Sequence, residues 1–170
     1  MWTGITYDIR GKERLNTGKP FIMVVNHQCR SVFVDRFNHK KALQSLTKCA
    51  DNILSKNLSV VVFPEGTRNH EGGMLTFKKG AFNIAVQAKV PVIPCVISSY
   101  RAFYDKEGKF FKTYGHLVVE IMSPVSTDEL ALEDVPGLTE RIRYDMMKTF
   151  ERISRVAEEK QKELETKKNA

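Results

Sequence analysis

Short apolar runs alternate with segments of helical periodicity along most of this chain. Continuous apolar runs cover Phe21–Val25, Leu58–Phe63 and Val90–Ser98, as is typical of strands that are buried on both faces. Ile5–Arg10 alternates more weakly and predicts an edge strand, and Leu117–Met122 predicts a further strand. These five segments are the candidate strands of the fold.

Three segments place apolar residues at helical spacing. They are Lys40–Leu54, Phe77–Lys89 and a long stripe from Leu138 to Ala157, which begins close to Pro136. Because strands alternate with helices, the pattern predicts an α/β fold. A length of 170 residues suits one domain with a substantial core.

Two local features modify this picture. Pro91 and Pro94 lie inside the Val90–Ser98 run, and prolines there predict an irregular strand, an edge strand or a bulge. From Glu158 onward almost every residue is charged or polar. We therefore expect one globular domain over residues 1–157, followed by a charged tail over residues 158–170 that projects into solvent or frays.

The net charge of +7 favours anionic partners, which include phosphorylated small molecules, anionic lipid surfaces and nucleic acid. Nucleic acid is the weakest of these, because Phe77, Phe82 and Phe150 lie at core spacing instead of alternating with base-binding groups. The lysine pairs, among them Lys78 and Lys79, are predicted to be solvated surface residues. No nucleic-acid partner is expected.

Cysteine and histidine usage predicts neither a disulfide framework nor a metal site. The three cysteines are odd in number and have no CxxC spacing, which favours a reduced, intracellular environment. The residues His27, Cys29, His39 and Cys49 match no closed zinc spacing. No apolar stretch approaches about eighteen residues, so we expect a soluble or peripheral chain without a spanning helix.

The hexapeptide Phe63–Arg68 concentrates functional groups between a predicted strand and a predicted helix. Gly66 allows close approach of the backbone to a ligand, and Thr67 and Arg68 supply donors for phosphate oxygens. The composition predicts a phosphate site, although a plain turn would have a similar composition.

The string Phe63-Pro64-Glu65-Gly66-Thr67-Arg68, with its continuation to Phe82, resembles the glycerolipid acyltransferases, most closely the lysophosphatidic acid acyltransferases. The resemblance implies a mixed β-sheet flanked by helices. It also implies transfer of an acyl group from acyl-CoA to the sn-2 hydroxyl of 1-acyl-glycerol-3-phosphate, giving phosphatidic acid. Acyl-CoA is then a co-substrate, with no metal and no other cofactor, and the reaction takes place at a membrane surface in the endoplasmic reticulum.

The resemblance also assigns site residues. Those that it assigns to the acceptor phosphate are Arg36, Gly66, Thr67 and Arg68. Glu65 shapes that site, Arg36 belongs to a second motif at Phe33–Arg36, and Val90–Ile97 packs at the acyl pocket.

His27 is the candidate general base, since in this family an Asn-His pair is followed five residues after the His by an aspartate that orients the imidazole. Val32 occupies that position here, and Asp35 belongs to the second motif instead. We therefore predict an internal deletion between about residues 28 and 33. Two functions remain open: an active acyltransferase, or an impaired form that only binds phosphate or anionic membranes. A basic polyanion binder is a weaker third.

Overall fold

A five-stranded mixed sheet forms the centre of the protein. The computed structural model describes residues 4–26, 42–67, 73–105 and 108–169. The strands are β1 Ile5–Arg10, β2 Ile22–Val25, β3 Val60–Val62, β4 Val92–Ile97, β5 Tyr104–Asp105, β6 Phe110–Phe111 and β7 Gly115–Ile121. The sheet has the order β1-β7-β4-β2-β3, while β5 and β6 pair with each other in a separate hairpin.

Strand directions make the sheet mixed. Strands β2, β3 and β4 run parallel to one another, β1 runs parallel to β7, and β4 pairs with β7 in the antiparallel sense. The helices are α1 Ala42–Ser55, α2 Gly80–Ala88 and α3 Val135–Asn169, and short 3₁₀ turns cover Lys12–Leu15 and Leu132–Asp134. The predicted α/β fold, with a mixed sheet flanked by helices, is confirmed, and so is β1 as an edge strand.

The main core lies between one face of the sheet and the helices. Alternate residues of the central strands point into it, as the two-residue period of a strand requires, and they meet apolar side chains from α2 and α3. The fully buried members include Val24, Val96, Val118, Phe82, Met146 and Ile153. The opposite face of the sheet carries a smaller cluster around Val25, Ile93, Cys95 and Ile121.

The expected edge position of Val90–Ser98 is wrong, because β4 is the middle strand of the sheet. The alternative of irregular pairing is confirmed: Cys95 pairs with Ile121 but Val92 pairs with Val125, so the opposite segment holds one extra residue beside Pro94. Pro94 pairs with Val24 in the β2 register. Its carbonyl accepts a hydrogen bond from Met122 N at 2.8 Å, just past the end of β7. In an antiparallel ladder the N–H and C=O of one residue point to the same neighbour, so the missing proline N–H falls where the β4–β7 ladder ends.

The expectation of a fraying tail from residue 158 is also wrong. Helix α3 continues to Asn169, and Gln161 is only 2% exposed. Lys112 Nζ, which follows β6, donates to Glu165 Oε1 at 2.6 Å and fixes the last turns of the helix against the body of the protein. Contacts from distant parts of the chain therefore order a segment whose own composition is polar.

Candidate functional site

The carboxyl ends of three parallel strands lie together at one edge of the sheet. Val24 of β2 is level with Val62 of β3, and Val25 is level with Cys95 of β4. The residues that follow these strands, Asn26 and Phe63 onward, therefore emerge side by side. In open α/β sheets this edge is where ligands bind.

Asn26 fastens the end of β2 to the end of β4. Its side chain is fully buried, its Nδ2 donates to Ile97 O at 2.9 Å, and its Oδ1 accepts from Ile97 N at 2.7 Å. One amide thus satisfies both backbone groups of Ile97. His27, the predicted general base, is the next residue in the chain and lies outside the described residues, as do Val32, Asp35 and Arg36.

Sequence reasoning included Asn26 only as part of a motif and missed this structural role. A polar residue directly after a buried apolar run was the available signal, since a buried amide needs partners. The bidentate contact fixes the backbone at the point from which the His27 segment departs. Asn26 is therefore a positioning residue of the edge.

The loop after β3 divides into a buried half and an exposed half. Pro64 and Glu65 are buried, whereas Gly66 and Thr67 are exposed. Gly66 N donates to Phe63 O at 3.1 Å, which closes a tight turn. The carboxylate of Glu65 is therefore turned inward, while Gly66 and Thr67 are exposed where a ligand can reach them. Arg68 lies outside the described residues.

Glu65 connects this loop to the segment before α2. It is 3% exposed, and its Oε2 accepts a hydrogen bond from Leu75 N at 2.9 Å. A second tie lies beside it, where Lys78 N donates to Pro64 O at 2.7 Å. A charged acceptor makes a stronger hydrogen bond than a neutral one. The arrangement is consistent with the predicted role of Glu65 in shaping the loop, a role that stays a prediction.

Gly66 takes a left-handed conformation, with φ +66°. A Cβ atom built on it would lie 2.6 Å from Lys78 Nζ, so the end of the Lys78 side chain lies directly over the glycine. Gly66 therefore serves two purposes: it accepts a backbone conformation that other residues rarely adopt, and it leaves room for this ammonium group.

Lys78 is a candidate functional residue that sequence reasoning missed. Its exposure agrees with the prediction of a solvated surface residue, but its charged end lies over the loop instead of pointing away from it. Lys78 lies twelve positions after Gly66 in the sequence, and no periodicity links the two residues. Only the return of the chain through Leu75 to Glu65 brings the two together.

The exposed part of the edge can therefore present a cation, a hydroxyl-bearing side chain and a glycine backbone to an anion. Of the predicted phosphate-binding groups, the structure brings together Gly66 and Thr67, and it adds Lys78 beside them. Phosphate oxygens accept hydrogen bonds from such donors, and a lysine contributes as a point charge.

Strand β4 is the interior wall behind the edge. Val92–Cys95 are all buried, in line with the packing role predicted for Val90–Ile97. Burial raises the pKa of the Cys95 thiol to about 11, which keeps the sulfur protonated and unreactive at neutral pH. Cys95 is therefore a packing residue.

Metal-ligand clusters and membrane-spanning helices are both absent from the described residues. Among residues 4–26, 42–67, 73–105 and 108–169, no group of three His, Cys, Asp or Glu side chains is placed to hold a metal ion. Within the same ranges no helix combines the length and the apolar character needed to cross a bilayer.

Comparison with known proteins identifies relatives of this chain. The Acyltransferase family model matches residues 28–98. Human 1-acyl-sn-glycerol-3-phosphate acyltransferase alpha is 35% identical over 187 residues, which cover 89% of this chain and 66% of that protein. The human beta form is 31% identical over 192 residues, which cover 92% of this chain and 69% of that protein. The chain thus spans about two thirds of the length of these relatives.

A solved structure shares the fold. The crystal structure of the 1-acyl-sn-glycerophosphate (LPA) acyltransferase PlsC from Thermotoga maritima superposes with a TM-score of 0.65 at 22% identity. The superposition covers 89% of this chain and 73% of that one. At this identity the likeness shows a common fold.

The matches to the relatives are longer than the part of this chain that they cover. The match to the human alpha form runs over 187 residues, yet 89% of this 170-residue chain is only about 151 residues. About 36 positions within the match therefore have no counterpart here, and the beta form gives nearly the same difference. A shortfall within the match is compatible with the predicted internal deletion, but the deletion and its place between residues 28 and 33 both stay predictions. With relatives above 30% identity over this share of both chains, the protein belongs to the 1-acyl-sn-glycerol-3-phosphate acyltransferase family.

Proposed function

We propose that this sheet edge binds the phosphate of lysophosphatidic acid and that its reaction is acyl transfer from acyl-CoA to the sn-2 hydroxyl. The observation that carries the proposal is the convergence of β2, β3 and β4 at one edge, because it places Asn26 beside the Glu65–Thr67 loop. The base and the phosphate donors then follow strands that end side by side. Human relatives named 1-acyl-sn-glycerol-3-phosphate acyltransferase support acyl transfer to this acceptor.

In the proposed reaction His27 removes the proton of the sn-2 hydroxyl as its oxygen attacks the thioester carbonyl. The new ester C–O bond forms, the C–S bond breaks, and the proton leaves with the CoA thiolate. Arg36, Thr67 and Arg68 hold the acceptor phosphate, while the Gly66 backbone lets it approach. Acyl-CoA serves as co-substrate, and the proposal requires neither a metal nor another cofactor.

A second candidate function is an impaired enzyme that binds its acceptor but turns it over slowly. Two observations favour it: Val32 occupies the position of the aspartate partner, and about 36 positions of the relatives are missing. Removing the partner aspartate in a Ser-His-Asp enzyme costs roughly 10⁴-fold in rate. A missing segment adds to this, because a displacement of about 1 Å can cost about 100-fold.

Release of free CoA from acyl-CoA in the presence of lysophosphatidic acid separates the two functions, with His27→Ala as the blank. The impaired form predicts that the unaltered chain releases CoA barely faster than the blank. Val32→Asp should not restore turnover, whereas inserting the corresponding segment of the human alpha form should. Robust turnover that His27→Ala abolishes would refute the impaired form and make Asp35 the first candidate for a replacement partner.

We also propose that the protein works on anionic membrane surfaces, with the endoplasmic reticulum as its location. A net charge of +7 and a lipid acceptor support this proposal. Vesicle pelleting should show binding that requires anionic lipid and weakens as salt rises, because exposed charges are screened beyond about 8 Å at physiological ionic strength. Equal binding to neutral and anionic vesicles would contradict it.

A further inference from the structure

A short hairpin leaves the sheet at the same edge as the candidate site. Strand β4 ends at Ile97, which Asn26 holds, and β7 runs back from Gly115. Because β4 and β7 are antiparallel, the segment that connects them begins and ends at this edge. That segment contains the β5–β6 hairpin, in which Tyr104 pairs with Phe111 and Asp105 pairs with Phe110.

The hairpin exposes aromatic rings that would ordinarily be buried. Phe110 is 40% exposed, Phe111 is 51% exposed and Tyr104 is 38% exposed. Elsewhere in the described chain, four phenylalanines are at most 7% exposed: Phe77, Phe82, Phe103 and Phe150. Tyr104 and Phe111 share one face of the hairpin with their rings edge-on at 6.2 Å, and Phe110 lies on the other face. The rings therefore flank the hairpin on both sides.

The base of the hairpin is firmly attached. Phe103 is 5% exposed and lies against Gly115, where an added Cβ would collide with its ring. Lys112 N donates to Phe103 O at 2.7 Å, and the Lys112 side chain bonds Glu165 of α3. The exposed rings are thus held away from the core by a fixed base.

Basic residues accompany the rings. Arg101 and Lys109 are exposed, and Lys112 Nζ lies 5.7 Å from the centre of the Phe110 ring. Aromatic rings prefer the boundary between lipid headgroups and acyl chains, and lysine and arginine are attracted to anionic headgroups. The lysines beside the rings favour a bilayer surface over a protein partner, because the cores of protein interfaces are depleted in lysine, whereas aromatic rings and arginine are common to both.

We propose that the Tyr104–Phe111 hairpin is a membrane anchor that inserts Phe110 and Phe111 into the interface of an anionic bilayer. The inference rests on the proposed function in one respect, namely that the acceptor is a lipid which arrives from a membrane. Insertion of this hairpin would bring the carboxyl edge of the sheet, with Gly66, Thr67 and Lys78, towards the headgroups that supply the acceptor.

The test compares Phe110→Ser/Phe111→Ser with Tyr144→Ser, which alters an equally exposed ring on α3. Binding is measured on vesicles of phosphatidylcholine with phosphatidylserine. We expect the hairpin variant to bind at least tenfold more weakly, and the loss to persist at high salt because it removes apolar contacts. The Tyr144 variant should bind like the unaltered chain. The proposal would be overturned if neither variant lost affinity for the vesicles, or if both variants lost it to the same extent.

A second measurement does not depend on the folding of the double variant. Phe111→Trp is made in a Trp2→Phe background, which removes the single native tryptophan, and Tyr144→Trp serves as the control. Brominated lipid chains should quench the tryptophan at position 111 and leave the one at position 144 unquenched. An unquenched position 111 on vesicles that bind the protein would overturn the proposal and favour a protein partner for the hairpin.

Neither measurement requires turnover, so the anchor and the acyltransferase proposal can fail separately. The hairpin variant should also keep its affinity for lysophosphatidic acid below the micelle concentration. A protein that binds vesicles through the hairpin but does not bind this lipid would leave the anchor in place and refute the acceptor site. A protein that binds lysophosphatidic acid but does not bind vesicles through the hairpin would leave the acceptor site in place and refute the anchor.

Discussion

Replacing Asn26 by alanine should destabilise the protein out of proportion to the size of the side chain. The substitution removes the hydrogen bonds at 2.9 Å and 2.7 Å to Ile97 and leaves a backbone N–H and a C=O without these partners. An unsatisfied buried group costs about 1–3 kcal/mol. Because Ile97 lies at the edge and is itself only half-buried, we take about 1–2 kcal/mol for each group and about 2–4 kcal/mol in total.

Urea and thermal denaturation followed by circular dichroism measure this loss. For a chain of this length, 1 kcal/mol corresponds to roughly 2–4 °C, so the melting temperature should fall by roughly 5–15 °C. Asn16→Ala is the matched control, since Asn16 is exposed in the loop before β2. We expect it to change the free energy of unfolding by less than about 0.5 kcal/mol. An Asn26→Ala variant as stable as this control would refute the view that the amide fastens β2 to β4.

Two further predictions concern charged side chains. Lys78→Met should weaken binding of lysophosphatidic acid by about fivefold, which is roughly 1 kcal/mol, as expected for an exposed cation near a phosphate. Lys79→Met is the control and should leave the affinity unchanged. Equal titration curves for the two variants would remove Lys78 from the site. The hydrogen bond from Lys112, followed by that from Gln161, lowers the pKa of Glu165 from its ordinary value of 4.5. The contribution of the Glu165 carboxylate to stability is therefore present above pH 4.5 and is lost as the pH falls through the lowered pKa. Glu165→Gln should be less stable than the unaltered chain at pH 7 and equally stable in strong acid. A stability difference that does not change with pH would contradict this assignment.

The local pattern of apolar residues was enough to predict the strands and helices that bury one continuous apolar run or face. The apolar run at Phe21–Val25 became β2, and the helical stripe from Leu138 to Ala157 lies within α3. Both patterns reflect burial against the main core, which any compact arrangement of these segments would require.

Features that depend on distant parts of the chain were not predictable in this way. Pro94 is tolerated in the central strand only because the β4–β7 ladder ends beside it. Helix α3 extends past residue 158 because Glu165 meets Lys112, 53 residues earlier in the chain. The β5–β6 hairpin is two residues long on each side, too short to show a period.

The candidate site shows the same division. The motif marked Glu65, Gly66 and Thr67 as site residues, and the structure places them at the predicted crossing from strand to helix. The sequence motif did not reveal Lys78, because the position of this residue over Gly66 follows from hydrogen bonds made by Leu75 N and Lys78 N. The roles of His27, Arg36 and Arg68 stay predictions, because these residues lie outside the described part of the chain.

Titration with lysophosphatidic acid and with the matching monoacylglycerol, both below their micelle concentrations, tests the proposed phosphate site most directly. The two lipids differ only in the phosphate. We expect the unaltered chain to bind lysophosphatidic acid on the order of 100-fold more tightly. Arg68→Ala should remove about 1.5–3 kcal/mol of that preference, and Arg68→Lys should recover only part of the loss. Equal affinity for the two lipids, or a preference that survives Arg68→Ala unchanged, would contradict the assignment of this sheet edge to the acceptor phosphate.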